Sequence, residues 1–400
     1  MDLKLSIKAI SLFFVLAHVT IADATIFDVT KYGIGPGGEI SQALISAWKE
    51  ACVSISPSTV LIPAGTYSLG PVALEGPCKA AIGVQVEGTL KAPSDPSLIK
   101  TDGWVVFEHV DQLTLFGTGT FDGQGARAWK ENDCAKNPNC RQLPTNIKFN
   151  YLNNALIRDI TSKDSKEFHI TVLGCNNVNF VHVTITAPGD SINTDGIHIG
   201  RSTGVSIADA LIQTGDDCVS IGDGGQQIHV QRVTCGPGHG ISVGSLGKYR
   251  NEEPVVGITV TNCTLSNTMN GVRVKTWRAS PVGSASDMHF DNIVMQNVGN
   301  PIIIDQEYCP TGNCNNQPPS QVKISRVSFK NIRGTSSTQM AVKFDCSKSV
   351  PCENVEVGDI NLTYKGPQGA ATSQCSNVRP ITFGALNPKL CMISGGAQYL

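Results

Sequence analysis

An eight-residue unit recurs along this chain, with apolar or small side chains at its first, third, sixth and eighth positions. Val178, Phe180, Val183 and Ile185 form one copy. Val205, Ile207, Ala210 and Ile212 form the next, and Ile228, Val230, Val233 and Cys235 a third. The pattern continues through Ile258-Val260-Cys263-Leu265, Met288-Phe290-Ile293-Met295, Val322-Ile324-Val327-Phe329 and Val355-Val357-Ile360-Leu362. Successive starts, counted from a weaker copy at Ala155, lie 23, 27, 23, 30, 30, 34 and 33 residues apart. Alternation within each half marks a strand, and the two-residue gap between halves marks a bend. Between copies lies another short strand, at 196–200, 218–222, 240–244, 271–275 and 301–305. Short strands with polar Asn and Gly corners, repeated at this period, predict an all-β right-handed parallel β-helix. No apolar period of 3.6 supports a helical solenoid, and a β-sandwich would not demand so fixed an internal pattern.

An open solenoid exposes its core and a sheet edge, so its ends need covering. Residues 41–52 offer an N-terminal capping helix: Ala43, Leu44, Ala47, Trp48 and Ala51 share one stripe, behind Ser41 as N-cap. Residues 127–143 break the repeat and are polar, a long loop of the kind that usually serves function. No linker composition divides the rest, so residues 25–400 read as one domain.

The first 24 residues read as a signal peptide. Lys4 and Lys8 precede an apolar run at 10–19, and Ala22-Asp23-Ala24 is a small-x-small cleavage site. The run is shorter than the roughly 20 residues of a membrane span, so the mature chain is expected outside the cell or in its wall, off the membrane and monomeric. Fourteen cysteines in an oxidising compartment suggest disulfides. Short spacings pair Cys134 with Cys140, Cys309 with Cys314 and Cys346 with Cys352. Cys218/Cys235, Cys375/Cys391 and Cys52/Cys78 complete six bridges, leaving Cys175 and Cys263 as thiols. No CxxC pair supports zinc. Asn262 and Asn361 open N-glycosylation sequons. Lys plus Arg is 31 against 33 Asp plus Glu, which argues against a nucleic-acid partner.

Aligning the second strands brings chemistry into register. Asp195 lies two residues before Ile197, Asp217 two before Val219 and His239 two before Ile241. In consecutive coils such positions stack about 4.8 Å apart. The next coil carries Arg273 and Lys275, turned outward by alternation with Val272 and Val274. Adjacent Asp216 and Asp217 are costly unless they have a role. A lone Asp at a corner is commonly a turn cap, and His169, His182, His198, His229 and His289 read as plain strand residues. The common register of the remaining six is what marks a site. Crowded carboxylates suit glycoside hydrolysis, one protonated and the others activating water. The cations suit an acidic sugar polymer.

The ordered set Asn193-Thr194-Asp195, Gly215-Asp216-Asp217, Gly238-His239-Gly240 and Arg273-Val274-Lys275 resembles the polygalacturonases, glycoside hydrolase family 28. The likeness spans the mature chain from Phe27-Asp28-Val29-Thr30 onward and includes the segment Pro301-Ile302-Ile303-Ile304-Asp305-Gln306-Glu307-Tyr308. Asn132-Asp133-Cys134 and Asn146-Ile147-Lys148-Phe149 resemble plant exopolygalacturonases of the pollen type, which are often allergens; this implies exo action releasing galacturonate, with residues 127–143 walling off one end of the groove. The resemblance implies Asp216 as general acid, Asp195 and Asp217 as water-activating pair, and His239 tuning the acid. It also implies galacturonate binding by Arg273, Lys275, Tyr308 and Asn193, with inversion at α-1,4 bonds of polygalacturonate (pectin). A one-coil spacing of about 5 Å alone is nearer the retaining geometry. Val274 stands where the family more often has Ile, and Gly37-Gly38-Glu39-Ile40 replaces its Asp-rich turn. No metal or organic cofactor is implied. Three readings stay open: an endo-acting enzyme, a pectate lyase holding calcium on Asp195, Asp216 and Asp217, and a non-catalytic pectin-binding protein.

Overall fold

The computed structural model describes residues 25–391, apart from 35–37, 135–136, 138–139, 311, 313 and 315. The signal segment lies outside the described residues. Every ladder pairs strands in parallel, as a solenoid requires, within one sheet of twenty-one strands and another of eleven. The larger sheet combines two faces of each coil. One runs through Asn153–Arg158, Asn176–Val181, Thr203–Ala208 and Gln226–Gln231. The other, through Thr161–Lys163, Thr184–Thr186 and Leu211–Gln213, joins it where Gly283–Val298 runs unbroken across both. The eleven-stranded sheet forms the remaining face and carries the site.

The bend inside each repeat has a backbone cause. Asp159, His182, Asp209, Arg232, Asn262, Asn292, Asn331 and Asp359, the fifth residue of each copy with the Val322 copy counted from Val327, all take positive φ between 50° and 62°. Asn and Asp tolerate that left-handed region better than most residues, which explains the polar corners. Inward positions are shut from solvent, among them Val178, Phe180, Val183 and Ile185. Phe149 continues the interior as a stack, 5.5 Å from Phe107 and 5.8 Å from Phe180 between ring centroids. Fully burying each such ring contributes about 1.5–3 kcal/mol.

Two expectations need correction. The copy assigned to Val322 is displaced by five residues: Met288 pairs with Val327, Phe290 with Phe329 and Ile293 with Ile332. Val322–Ser336 is one long strand in which Val322 and Ile324 are also buried, so the apolar pattern fits twice. A further coil opens at Leu113–Phe116, as Leu113-Thr114-Leu115 suggests, and others precede it at Ser58–Ile62 and Ile82–Val86. The capping helix spans Ser41–Val53 and buries the expected stripe, but its N-cap is Ile40. Ser41 is already helical, and its hydroxyl instead contacts Glu39 and accepts from Gly70 N at 2.8 Å.

All six disulfides form as paired, and Cys175 and Cys263 are buried thiols. No helix among the described residues is long and apolar enough to cross a membrane.

Candidate active site

The site grows from one register. Ile197 pairs with Val219, Val219 with Ile241 and Ile241 with Val272. The residues two places earlier, Asp195, Asp217 and His239, therefore lie on successive coils. Backbone bonds lock them: Gly196 N donates to Asp217 O at 2.9 Å, and His239 N to Asp216 O at 2.8 Å. Glycine is required on both sides of this ridge. A Cβ on Gly215 would sit 1.9 Å from Ser191 O, and Gly240 has φ +90° with Asn270 O only 2.2 Å from where a Cβ would be.

The three carboxylates have different surroundings. Asp217 is 1% exposed. One oxygen accepts from Arg273 Nη2 at 3.0 Å and Ser242 Oγ at 2.8 Å, and the other from Lys275 Nζ at 2.7 Å. Asp216 opens toward the cleft, with its side chain 22% exposed, and Oδ1 lies 2.9 Å from His239 Nδ1. Burial pushes Asp216 up, but the hydrogen bond and charge of His239, helped by Lys275, outweigh it and hold the carboxyl below its usual range. Asp195 is buried and accepts from Ser220 Oγ at 2.7 Å. Burial first, then the charges of Asp216 and Asp217, raise it well above the usual carboxylate range. Of these two carboxyls, Asp195 is therefore the one whose surroundings favour the protonated form.

These groups line a cleft of about 370 Å³, together with Asn193, His198, Lys248, Tyr249, Lys275 and Tyr308. Lys275 Nζ lies 5.4 Å from the Tyr308 ring centroid. Arg273 is not on the cleft wall. It stands behind Asp217, 9% exposed, bonded to Asp217 and Ser242. Lys248 also lines the cleft and has no ion-pair partner among the described residues; its ammonium lies 5.4 and 5.6 Å from the Tyr249 and Trp277 ring centroids.

His198 is more than a strand residue. Its ring lines the cleft, and Nδ1 is 2.8 Å from Ser220 Oγ. The sequence held the signal: His198, Ser220, Ser242 and Arg273 form one outward column, each following an aligned inward residue. His169 and His182 lie outside the strands, His169 fully buried against Ser162 and His182 at a bend.

Beyond His198 the outward column is covered by other parts of the chain. Thr171 and Lys148 continue the outward column beyond His198. Lys148 is nonetheless buried beside Asp102, and Thr171 Oγ1 is shut from solvent. Phe168 forms the wall there, its ring centroid 5.2 Å from that of His198. The repeat-breaking segment braces the turn that carries Phe168. Trp129 Nε1 donates to Ser165 O at 2.9 Å, and Glu167 accepts from the Leu143 backbone. The segment begins as a short helix, Ala126–Glu131.

Asp216, Asp217 and His239 offer ligand atoms within 4.8 Å of one another, as a metal site would. Asp217 already faces two cations, which would repel a divalent ion, so the donor set fits a metal poorly.

The profile described as "Glycosyl hydrolases family 28" matches residues 52–388. An exopolygalacturonase from Platanus acerifolia is 56% identical over 370 residues, covering 92% of this chain and 98% of its own. A polygalacturonase from Nicotiana tabacum is 51% identical over the full length of both. Among solved structures, endo-xylogalacturonan hydrolase from Aspergillus tubingensis superposes with a TM-score of 0.77 over 90% of this chain and 100% of its own. At 24% identity, that match speaks to the fold.

Proposed function

The chain belongs to the glycosyl hydrolases of family 28, and from that premise we propose that it hydrolyses α-1,4-galacturonosyl bonds of polygalacturonate from a chain end, with inversion. The observation that carries the reading is the stack of three carboxylates with three different surroundings, at the floor of a cleft containing cations. Asp216 is open to the cleft and bonded to His239. It donates the proton to the leaving oxygen, and His239 sets its protonation. Asp195 and Asp217 activate the attacking water. Turnover needs Asp216 protonated and Asp195 ionised, the reverse of the order their surroundings favour, so the proton must reach Asp216 before the bond breaks. Lys275, Tyr308 and Asn193 line the cleft for a galacturonate unit. Arg273 serves that unit through Asp217, by fixing its carboxylate.

Phe168 lining the cleft beside a covered stretch of the column supports action at a chain end, and the name of the Platanus relative supports it independently. The enzyme acts as a monomer, without metal or organic cofactor, outside the cell after residues 1–24 are removed. Six disulfides suit that compartment.

Reducing-end release tests the reading. Polygalacturonate should be cleaved readily and heavily methyl-esterified pectin poorly, because esterification removes the charge that the cations pair with. Asp216→Asn should lose nearly all turnover. Near-normal turnover of that variant would refute the assignment.

A further inference from the structure

The side chain that holds Asp195 is Ser220, and behind Ser220 stands His198. Among the described residues Ser220 is the one side chain that hydrogen-bonds the Asp195 carboxylate, at 2.7 Å. A hydroxyl has a single proton to give. With that proton committed to Asp195, Ser220 must accept from its other neighbour, His198 Nδ1, at 2.8 Å. The direction of both bonds is then fixed, and the imidazole carries its proton on Nδ1.

The ring has little freedom to do otherwise. Phe168 packs against it, and a Cβ on Gly222 would fall 3.3 Å from His198 Cε1 and 3.4 Å from Nε2. Burial, then the charge of Lys275, push His198 down to about 4, so the imidazole stays neutral in mildly acidic solution. Asp217 and Asp223 face it with the opposite effect. Asp195 itself faces Asp216, Asp217 and Lys275.

We propose that Ser220 and His198 are positioning residues for Asp195: together they stabilise its ionised form and fix which oxygen is left to face the attacking water. The inference rests on Asp195 taking part in water activation. One carboxylate oxygen is held by Ser220, so the other alone is available to take a proton. Losing the donor should make Asp195 harder to ionise, because hydrogen bonding to the charged form favours that form.

The test is kcat and KM for polygalacturonate across pH in Ser220→Ala, His198→Phe and His198→Asn, with Asp195→Asn as reference and thermal unfolding as a check on folding. Ser220→Ala and His198→Phe should lower kcat with little change in KM. Each should move the acidic limb of the profile up by about one pH unit, a roughly tenfold loss on that limb. His198→Asn can place an amide N–H near the former Nδ1 and should restore the limb. If one of the first two variants fails to fold, the other still decides. Wild-type limbs in the folded variants, with Asp195→Asn inactive, would overturn the positioning role and leave the proposed reaction standing. A change confined to KM would also overturn it, by showing direct substrate contact instead. Substantial turnover in Asp195→Asn would remove the premise itself.

Discussion

Replacing Asp217 by Asn should damage stability as well as turnover, whereas replacing Asp216 should damage turnover almost alone. The difference follows from what each carboxylate neutralises. Asp217 has a side chain 1% exposed and pairs with Arg273 and Lys275, themselves only 11% and 8% exposed in their side chains. Removing its charge strands two buried cations beside a neutral amide. Breaking a buried pair from one side costs about 3–5 kcal/mol. The Asn carbonyl still accepts one bond, which places the expected loss near about 3 kcal/mol. Asp216 is 22% exposed and bonded to a partly exposed His239, so its loss should cost about 1 kcal/mol or less. Thermal unfolding of the two variants beside wild type at one pH reads this directly, and Asp217→Asn should melt several degrees below Asp216→Asn. Adding Lys275→Met to Asp217→Asn should recover part of the loss, because it removes one unpaired charge. Equal melting temperatures for the two single variants, or no coupling in the double variant, would refute the reasoning.

Two further outcomes follow from buried groups. Thiol titration should find two reactive groups after denaturation and none in the native state, since burial pushes both Cys175 and Cys263 up to about 11; two reactive native thiols would contradict the fold around them. Burial lowers His169 to about 3, so the native state refuses a proton that the unfolded chain binds near pH 6.5. Its contribution is present above that pH and lost as pH falls toward about 3, while the raised Asp195 works in the opposite sense, contributing below about pH 3.9 and fading as pH rises. His169→Asn should flatten the fall in melting temperature between pH 6.5 and 3, and an unchanged slope would contradict the assignment.

The repeat was legible because its inward positions are a local pattern, and stacking at one register followed from counting back two residues from Ile197, Val219 and Ile241. Where a long strand offered two apolar frames, at Val322 and Val327, the pattern could not choose between them; pairing with Met288 did. The cations were legible as outward residues but not in their partner. Arg273 and Lys275 lie 56 and 58 residues from Asp217, and only the coil geometry brings them onto it. His198 and Ser220 carry no signal singly, and only the alternation that turns Arg273 outward, extended along the column, brings them in. The repeat-breaking segment 127–143 was the signal for the wall, but Phe168 itself was not legible, since Trp129 and Leu143 brace a turn distant in sequence.

The central claim is that stacked carboxylates act on a chain end in the cleft that Phe168 lines, and product sizing during hydrolysis of polygalacturonate tests it most directly. Viscosity should be followed in the same reaction against reducing ends. The account predicts galacturonate monomer from the earliest time points while viscosity falls slowly. An early collapse of viscosity with mixed oligomers would show a polymer passing through the cleft and would contradict action at a chain end.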